Sequence, residues 1–166
     1  MSAPSSLPLA VVLLIQPERD DRDMYAEFLR DAGMTLILLS EATPALVVAP
    51  DSHVIVTELL LPGSIEGIEF IVRLRSDRST NGIPIIVLTT SAWDTERERA
   101  QRAGCDMFLP KPCLPDRLLD EILRLLAKSA TWTSQRQQAH TTPPIAAVAA
   151  SSEANGIDLE ASPSSA

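Results

Sequence analysis

Residues 53–67, which read His-Val-Ile-Val-Thr-Glu-Leu-Leu-Leu-Pro-Gly-Ser-Ile-Glu-Gly, do most to limit what this chain can become. Val54, Ile55 and Val56 are a β-branched run with no polar interruption, the composition of a strand buried on both faces, as parallel sheets require. Pro62 and Gly63 then break the chain, and apolar residues resume at helical spacing from Ile68, so the unit reads strand, loop, helix. Glu58 therefore stands at the carboxyl end of a strand, the rim at which open α/β sheets place ligands. It is either a positioned carboxylate or a solvated strand-end residue, and this segment alone does not choose.

The same unit recurs. Residues 9–15 are an unbroken apolar run ending at Gln16 and Pro17, after which Met24, Phe28, Leu29 and Ala32 recur at helical spacing until Gly33. Pro17 suits a first helical turn, and Gly33 a left-handed helix end. Residues 35–39 predict a second strand. Residues 41–49 predict a short helix, weakened by Pro44, Val47 and Val48. Ile68, Ile71, Val72 and Leu74 give a third helix its apolar face, with Arg73, Arg75 and Asp77 left for solvent. Residues 83–88 predict another strand and 93–103 a helix that stops at Gly104. That helix is charged nearly all round, with Ala100 and Ala103 its clear core positions, and Ser91 and Asp94 have capping-box spacing. Residues 106–109 predict the last strand, and Pro115 opens a helix striped by Leu118, Leu119, Ile122, Leu125 and Leu126. Five such alternations predict an α/β fold with right-handed crossovers and a parallel sheet covered on both faces.

A length of 166 residues allows one domain and a remainder: an N-terminal extension at 1–8, a domain at 9–128, and a tail at 129–166. The tail is rich in Ala, Ser, Thr, Gln and Pro, has no periodic apolar face, and is expected to be disordered. Its apolar island at 145–150 either docks on a partner or stays free. Net charge is −8, of which −6 lies in residues 1–128, and no basic stripe is present, which argues against nucleic-acid binding. Cys105 and Cys113 lack the spacing of a zinc site or a disulfide framework and are expected to be reduced core residues. The apolar run at 7–15 has no Lys or Arg before it and reads as a strand rather than a signal peptide. No run approaches the ~20 residues of a membrane span, so a cytoplasmic location without membrane contact is expected.

Residues 9–128 as a whole resemble a response-regulator receiver domain of two-component signalling, the CheY-like fold. The residues that carry the likeness are Leu-Leu-Leu-Pro-Gly at 59–63, Ile-Pro-Ile-Ile-Val-Leu-Thr-Thr at 83–90, Ala-Gly-Cys-Asp-Met-Phe-Leu at 103–109, and Lys111-Pro112. The resemblance implies a flavodoxin-like, doubly wound, five-stranded parallel sheet in the order 2-1-3-4-5. In such domains two acids after strand one and an Asp ending strand three hold Mg²⁺, and that Asp accepts a phosphoryl group from a histidine kinase. A Thr or Ser after strand four and a Lys after strand five contact the phosphate, while an aromatic on strand five switches rotamer. On this chain the resemblance implies Thr89, Lys111 and Phe108 for the last three.

The acidic half departs from the pattern. Glu58 stands at the phosphoacceptor position, Gln16 and Pro17 at the acid pair, and Glu18 matches only a third acid sometimes found there. The loop before Gly67 is one residue longer than usual. Pro17 offers a cation no side-chain oxygen and Gln16 only a neutral one, so Mg²⁺ is expected to bind weakly or not at all. Glu58, one methylene longer than Asp, sets its carboxylate roughly 1.5 Å further into the pocket, out of line with a phosphodonor. It either imitates phospho-Asp by meeting Lys111 and Thr89, or forms an ion pair that only preserves the fold.

The expected function is accordingly a phosphorylation-independent interaction module in signal transduction, not an enzyme and without cofactor. No output domain is visible. The alternatives are a working single-domain regulator phosphorylated by a histidine kinase or phosphotransfer protein, and a flavodoxin-like enzyme or nucleotide binder. The last lacks a Gly-rich turn after strand one and a nucleophile with its base. Protein partners are expected, a histidine kinase or another regulator among them, along with a possible homodimer through helix four, strand five and helix five. Trp93 beside Arg97 and Arg99 suits that interface or a packing role. Asp20 and Asp21 are expected to face water, and His53 to be packed or solvated rather than a phosphate relay.

Overall fold

The computed structural model describes residues 10–129. The N-terminal extension and the tail beyond residue 129, with its apolar island, lie outside the described residues.

Five strands and five α-helices alternate: β1 (Val11–Ile15), α1 (Arg19–Asp31), β2 (Thr35–Leu39), α2 (Ala42–Val48), β3 (Val54–Thr57), α3 (Gly67–Ser76), β4 (Ile85–Thr89), α4 (Asp94–Ala103), β5 (Met107–Pro110) and α5 (Pro115–Lys128). All pairings are parallel and the order is β2-β1-β3-β4-β5. The period-2 geometry of strands divides each apolar run between two cores. Val12, Leu14, Val54, Val56, Ile86 and Leu88 meet α1 and α5 on one face. Leu13, Ile15, Ile55, Ile85 and Val87 meet α2, α3 and α4 on the other. Strand order reverses between β1 and β3, so a crevice opens beyond their carboxyl ends, where the main functional crevice of such a sheet lies.

Five local expectations are corrected. Pro17 lies outside α1, whose N-cap is Glu18, and no capping box forms at α4, whose N-cap Trp93 makes no side-chain capping bond. Arg75 is not left for solvent: it donates to the carbonyls of Gly104, Asn81 and Ile83 and pairs with Asp106 at 2.8 Å. Ser129 belongs with the domain, buried and donating its N–H to Leu126 O at 3.1 Å. The largest correction is the phase of α1. Its buried residues are Tyr25, Ala26 and Leu29, while Met24 and Phe28 are exposed. Tyr25 turns inward because its hydroxyl finds a buried acceptor, Cys113 O at 2.6 Å.

The β3–α3 loop is held where it leaves the sheet. Gly67 N–H donates to Leu59 O at 3.1 Å, and a Cβ on Gly67 would lie 2.5 Å from Leu59 Cα. Only glycine lets the start of α3 pack against the residue that follows Glu58. Gly67→Ala is therefore expected to cost about 1–3 kcal/mol, whereas Gly82→Ala, whose Cβ would meet nothing within 4 Å, should change stability by less than about 0.5 kcal/mol; urea unfolding of the two variants measures the difference.

Candidate functional site

The backbone carries the sheet ladder one step beyond its strands, and that step places the site. Gln16 N–H donates to Leu39 O, Glu58 N–H to Ile15 O and Lys111 N–H to Thr89 O, at 2.8–3.0 Å. Three side chains from three strand ends are thereby aimed into one crevice, with Thr89 closing β4 beside them.

Glu58 is 4% exposed, so its charge needs partners from the protein. One carboxylate oxygen, Oε1, accepts the Leu59 N–H at 2.8 Å, the Leu60 N–H at 3.3 Å and the Thr89 hydroxyl. The other, Oε2, accepts the Thr90 N–H at 3.4 Å and lies 3.5 Å from Lys111 Nζ. The Lys111 ammonium donates to Gln16 Oε1 at 2.6 Å and to Asp21 Oδ2 at 2.8 Å. Gln16 is fully buried and donates its Nε2 to Leu88 O at 3.2 Å, which fixes which end of the amide faces Lys111. Pro17 contributes only its backbone carbonyl, which with that of Gln16 accepts from Arg22 Nη1 at 3.4 and 2.7 Å. Among the described residues no group of three or more His, Cys, Asp or Glu side chains is placed to hold a metal ion.

Of the residues singled out in the sequence, Gln16, Glu58, Thr89 and Lys111 meet directly, and Pro17 borders them. Phe108 is buried in the core under α4, with the Arg97 guanidinium 5.0 Å over its ring, a cation–π contact. Trp93 is 75% exposed, so it does not pack; Arg99 pairs with Glu96. His53 is packed at the amino end of β3, the rim opposite Glu58, where its Nδ1 accepts the Val11 N–H at 2.9 Å. Cys105 and Cys113 are free thiols; burial pushes Cys105 up to about 11 and Cys113 upward too, so neither is an activated nucleophile at neutral pH.

Asp21 is the residue that sequence reasoning misplaced. It does not simply face water but forms the ion pair with Lys111, while Asp20 is exposed as expected. The error follows from the helix phase: Asp21 lies four residues before Tyr25 and eight before Leu29, on the buried stripe, and becomes visible once Tyr25 rather than Met24 is put on the core face. Thr90 and Arg22 were likewise missed, because backbone N–H donors and carbonyl-directed side chains leave no sequence pattern.

This is the layout of a doubly wound α/β protein with a charged pocket at its topological switch point. The sequence profile of the response regulator receiver domain matches residues 12–123, and the chain belongs to that family. Response regulator Rre1 of Synechocystis is 30% identical over 131 residues, which cover 77% of this chain and 54% of the relative. The transcriptional regulatory protein CpxR of Escherichia coli is 28% identical over 127 residues, 76% of this chain and 53% of CpxR. The chain thus spans about half the length of these curated relatives. The chemotaxis response regulator CheY4 of Vibrio cholerae superimposes with a TM-score of 0.65 at 27% identity, covering 70% of this chain and 98% of CheY4. A putative response regulator from Chloroflexus aurantiacus gives 0.68 at 25% identity, covering 72% and 98%. The domain is a receiver of two-component signalling, a class of module that acts through contact with signalling proteins. No helix among the described residues is long and apolar enough to cross a membrane.

Tyr25 ties this rim to the core, and its burial beside Cys113 and Asp21 raises its phenol to about 12. Because the folded value exceeds the ordinary 10, its contribution is complete below pH 10 and is lost as pH rises toward 12. Tyr25→Phe should cost about 1 kcal/mol at pH 7 and flatten the decline of stability over that alkaline range, as read by chemical denaturation at stepped pH.

Proposed function

We propose that this receiver acts as a phosphorylation-independent protein interaction module, with Glu58 standing where a phosphorylated Asp would act. The observation that carries the reading is the double engagement of the Glu58 carboxylate, which accepts the Thr89 hydroxyl on one oxygen and faces Lys111 with the other. Those are the two side chains that receivers of this family turn toward a bound phosphate. The substitution is partial: one charge and two oxygens replace about two charges and three oxygens. Thr89 drawn onto Glu58, with Phe108 buried beneath α4, supports an arrangement biased toward the partner-binding form without phosphate.

Phosphotransfer itself is mostly positioning and charge neutralisation by metal and ammonium. The residues present do not fit Mg²⁺: Pro17 has no side-chain oxygen, the amide oxygen of Gln16 already accepts from Lys111, and Glu58 is engaged on both oxygens. We therefore assign the domain weak Mg²⁺ binding at most, no phosphoacceptor activity and no enzymatic role. The contact surface is the face of α4, β5 and α5, where Trp93 stands exposed beside Arg97; Arg99, expected there from the sequence, instead pairs with Glu96 on the side of α4 that faces Leu59, Leu60 and Pro62 of the β3–α3 loop. An exposed Trp flanked by Arg is the composition of an interface anchor, for another signalling protein or a second copy.

Incubation with acetyl phosphate and Mg²⁺ followed by intact-mass measurement tests this. The wild type should gain no base-labile mass of about 80 Da, while the triple variant Gln16→Asp, Pro17→Asp, Glu58→Asp should gain it. A wild-type protein that takes up the label would instead be a working phosphoacceptor.

A further inference from the structure

We infer that the pocket's cation is built into the chain: the Lys111 ammonium, seconded by the Arg22 guanidinium, fills the place of a divalent ion, and Asp21 is the positioning residue that holds it there. The inference does not depend on whether Glu58 imitates a phosphate, since it concerns only what neutralises the oxygens of this rim.

Five oxygens line the rim where β1, β3 and the first turn of α1 meet, and each faces a cation from the same chain. Gln16 Oε1, Asp21 Oδ2 and Glu58 Oε2 surround Lys111 Nζ at 2.6, 2.8 and 3.5 Å. The backbone carbonyls of Gln16 and Pro17 face Arg22 Nη1 at 2.7 and 3.4 Å. Two carboxylates thus meet two side-chain cations and the set is neutral by itself. A divalent ion would bring the same set to +2 beside an ammonium whose side chain is 9% exposed, where repulsion is weakly screened. It would also need oxygens at about 2.1 Å in octahedral array, in the volume that Nζ fills.

The residue types suit this arrangement. A carboxylate at residue 16 would leave the pocket one charge short of balance, whereas the Gln16 amide accepts from Lys111 with one end and donates to Leu88 O with the other. Asp21 supplies the second negative charge from α1, so Lys111 ties α1 to the end of β5 without a bound ion. Lysine is rare here: Lys111 and Lys128 are the only two in 166 residues, against 12 Arg. A compact ammonium is the side chain that can replace an ion at a three-oxygen site, which a planar guanidinium cannot.

That rarity makes the full chain its own assay. Timed acetylation with an N-hydroxysuccinimide ester, read by peptide mass spectrometry, should modify exposed Lys128 at least tenfold faster than Lys111. Asp21→Asn should speed Lys111 modification severalfold and leave Lys128 unchanged, and 10 mM Mg²⁺ should alter neither rate in the wild type. Lys111 reacting as fast as Lys128, or accelerating when Mg²⁺ is added, overturns the assignment. In parallel, Lys111→Met frees the oxygens of Asp21 and Glu58. It should bind Mn²⁺, followed by the loss of the free-ion electron paramagnetic resonance signal, at least tenfold more tightly than the wild type, and Lys111→Met/Asp21→Asn should lose most of that gain. Equal Mn²⁺ affinity in wild type and Lys111→Met contradicts the proposal, and if Lys111→Met does not fold, the acetylation rates of wild type and Asp21→Asn decide alone.

Discussion

A carboxylate held out of water at the end of a buried strand must be surrounded by donors, and the arrangement around Glu58 is the consequence of that one demand. Three backbone N–H groups, the Thr89 hydroxyl and the Lys111 ammonium converge on it from β3, β4 and β5. Removing one partner from such a cluster typically costs about 3–5 kcal/mol, because the charge left behind has no solvent to turn to. The cluster therefore adds directional contacts to the apolar packing that positions the three strand ends.

Two loops depend on it in turn. The β3–α3 loop can present the Leu59 and Leu60 N–H groups to Glu58 only because Gly67 admits the chain so close to Leu59. The β4–α4 segment is drawn in through Thr89, whose hydroxyl oxygen also accepts the Ser91 N–H at 3.0 Å. Beyond it α4 has a single buried residue, Ala100, and rests on Phe108 partly through Arg97. On the proposed reading, a helix anchored so lightly is the element through which charge at residue 58, acting on Thr89, would reach the face that carries Trp93.

The fold was legible because its strands are unmixed: Val54 to Val56 and Ile85 to Leu88 leave no polar face and hence only a parallel, doubly covered sheet. That Thr89, Lys111 and Glu58 would meet in one pocket was legible through the family resemblance. Asp21 was not, since ranking residues by hydrophobicity put Met24 and Phe28 inward, while the hydrogen bond from Tyr25 to Cys113 O set the true phase of α1. Arg75 escaped for a related reason: a charged side chain that collects three backbone carbonyls looks, in sequence, like any solvated arginine.

The central claim is that Glu58 already occupies Thr89 and Lys111, so the pocket has nothing left to respond with. Side-chain NMR of the Thr89 methyl and the Phe108 ring during titration with beryllofluoride and Mg²⁺ tests it most directly. The account expects both signals to stay in place through saturating additions. Saturable shifts at Thr89 and Phe108 would mean that the pocket still binds a phosphate analogue and switches, contrary to the account.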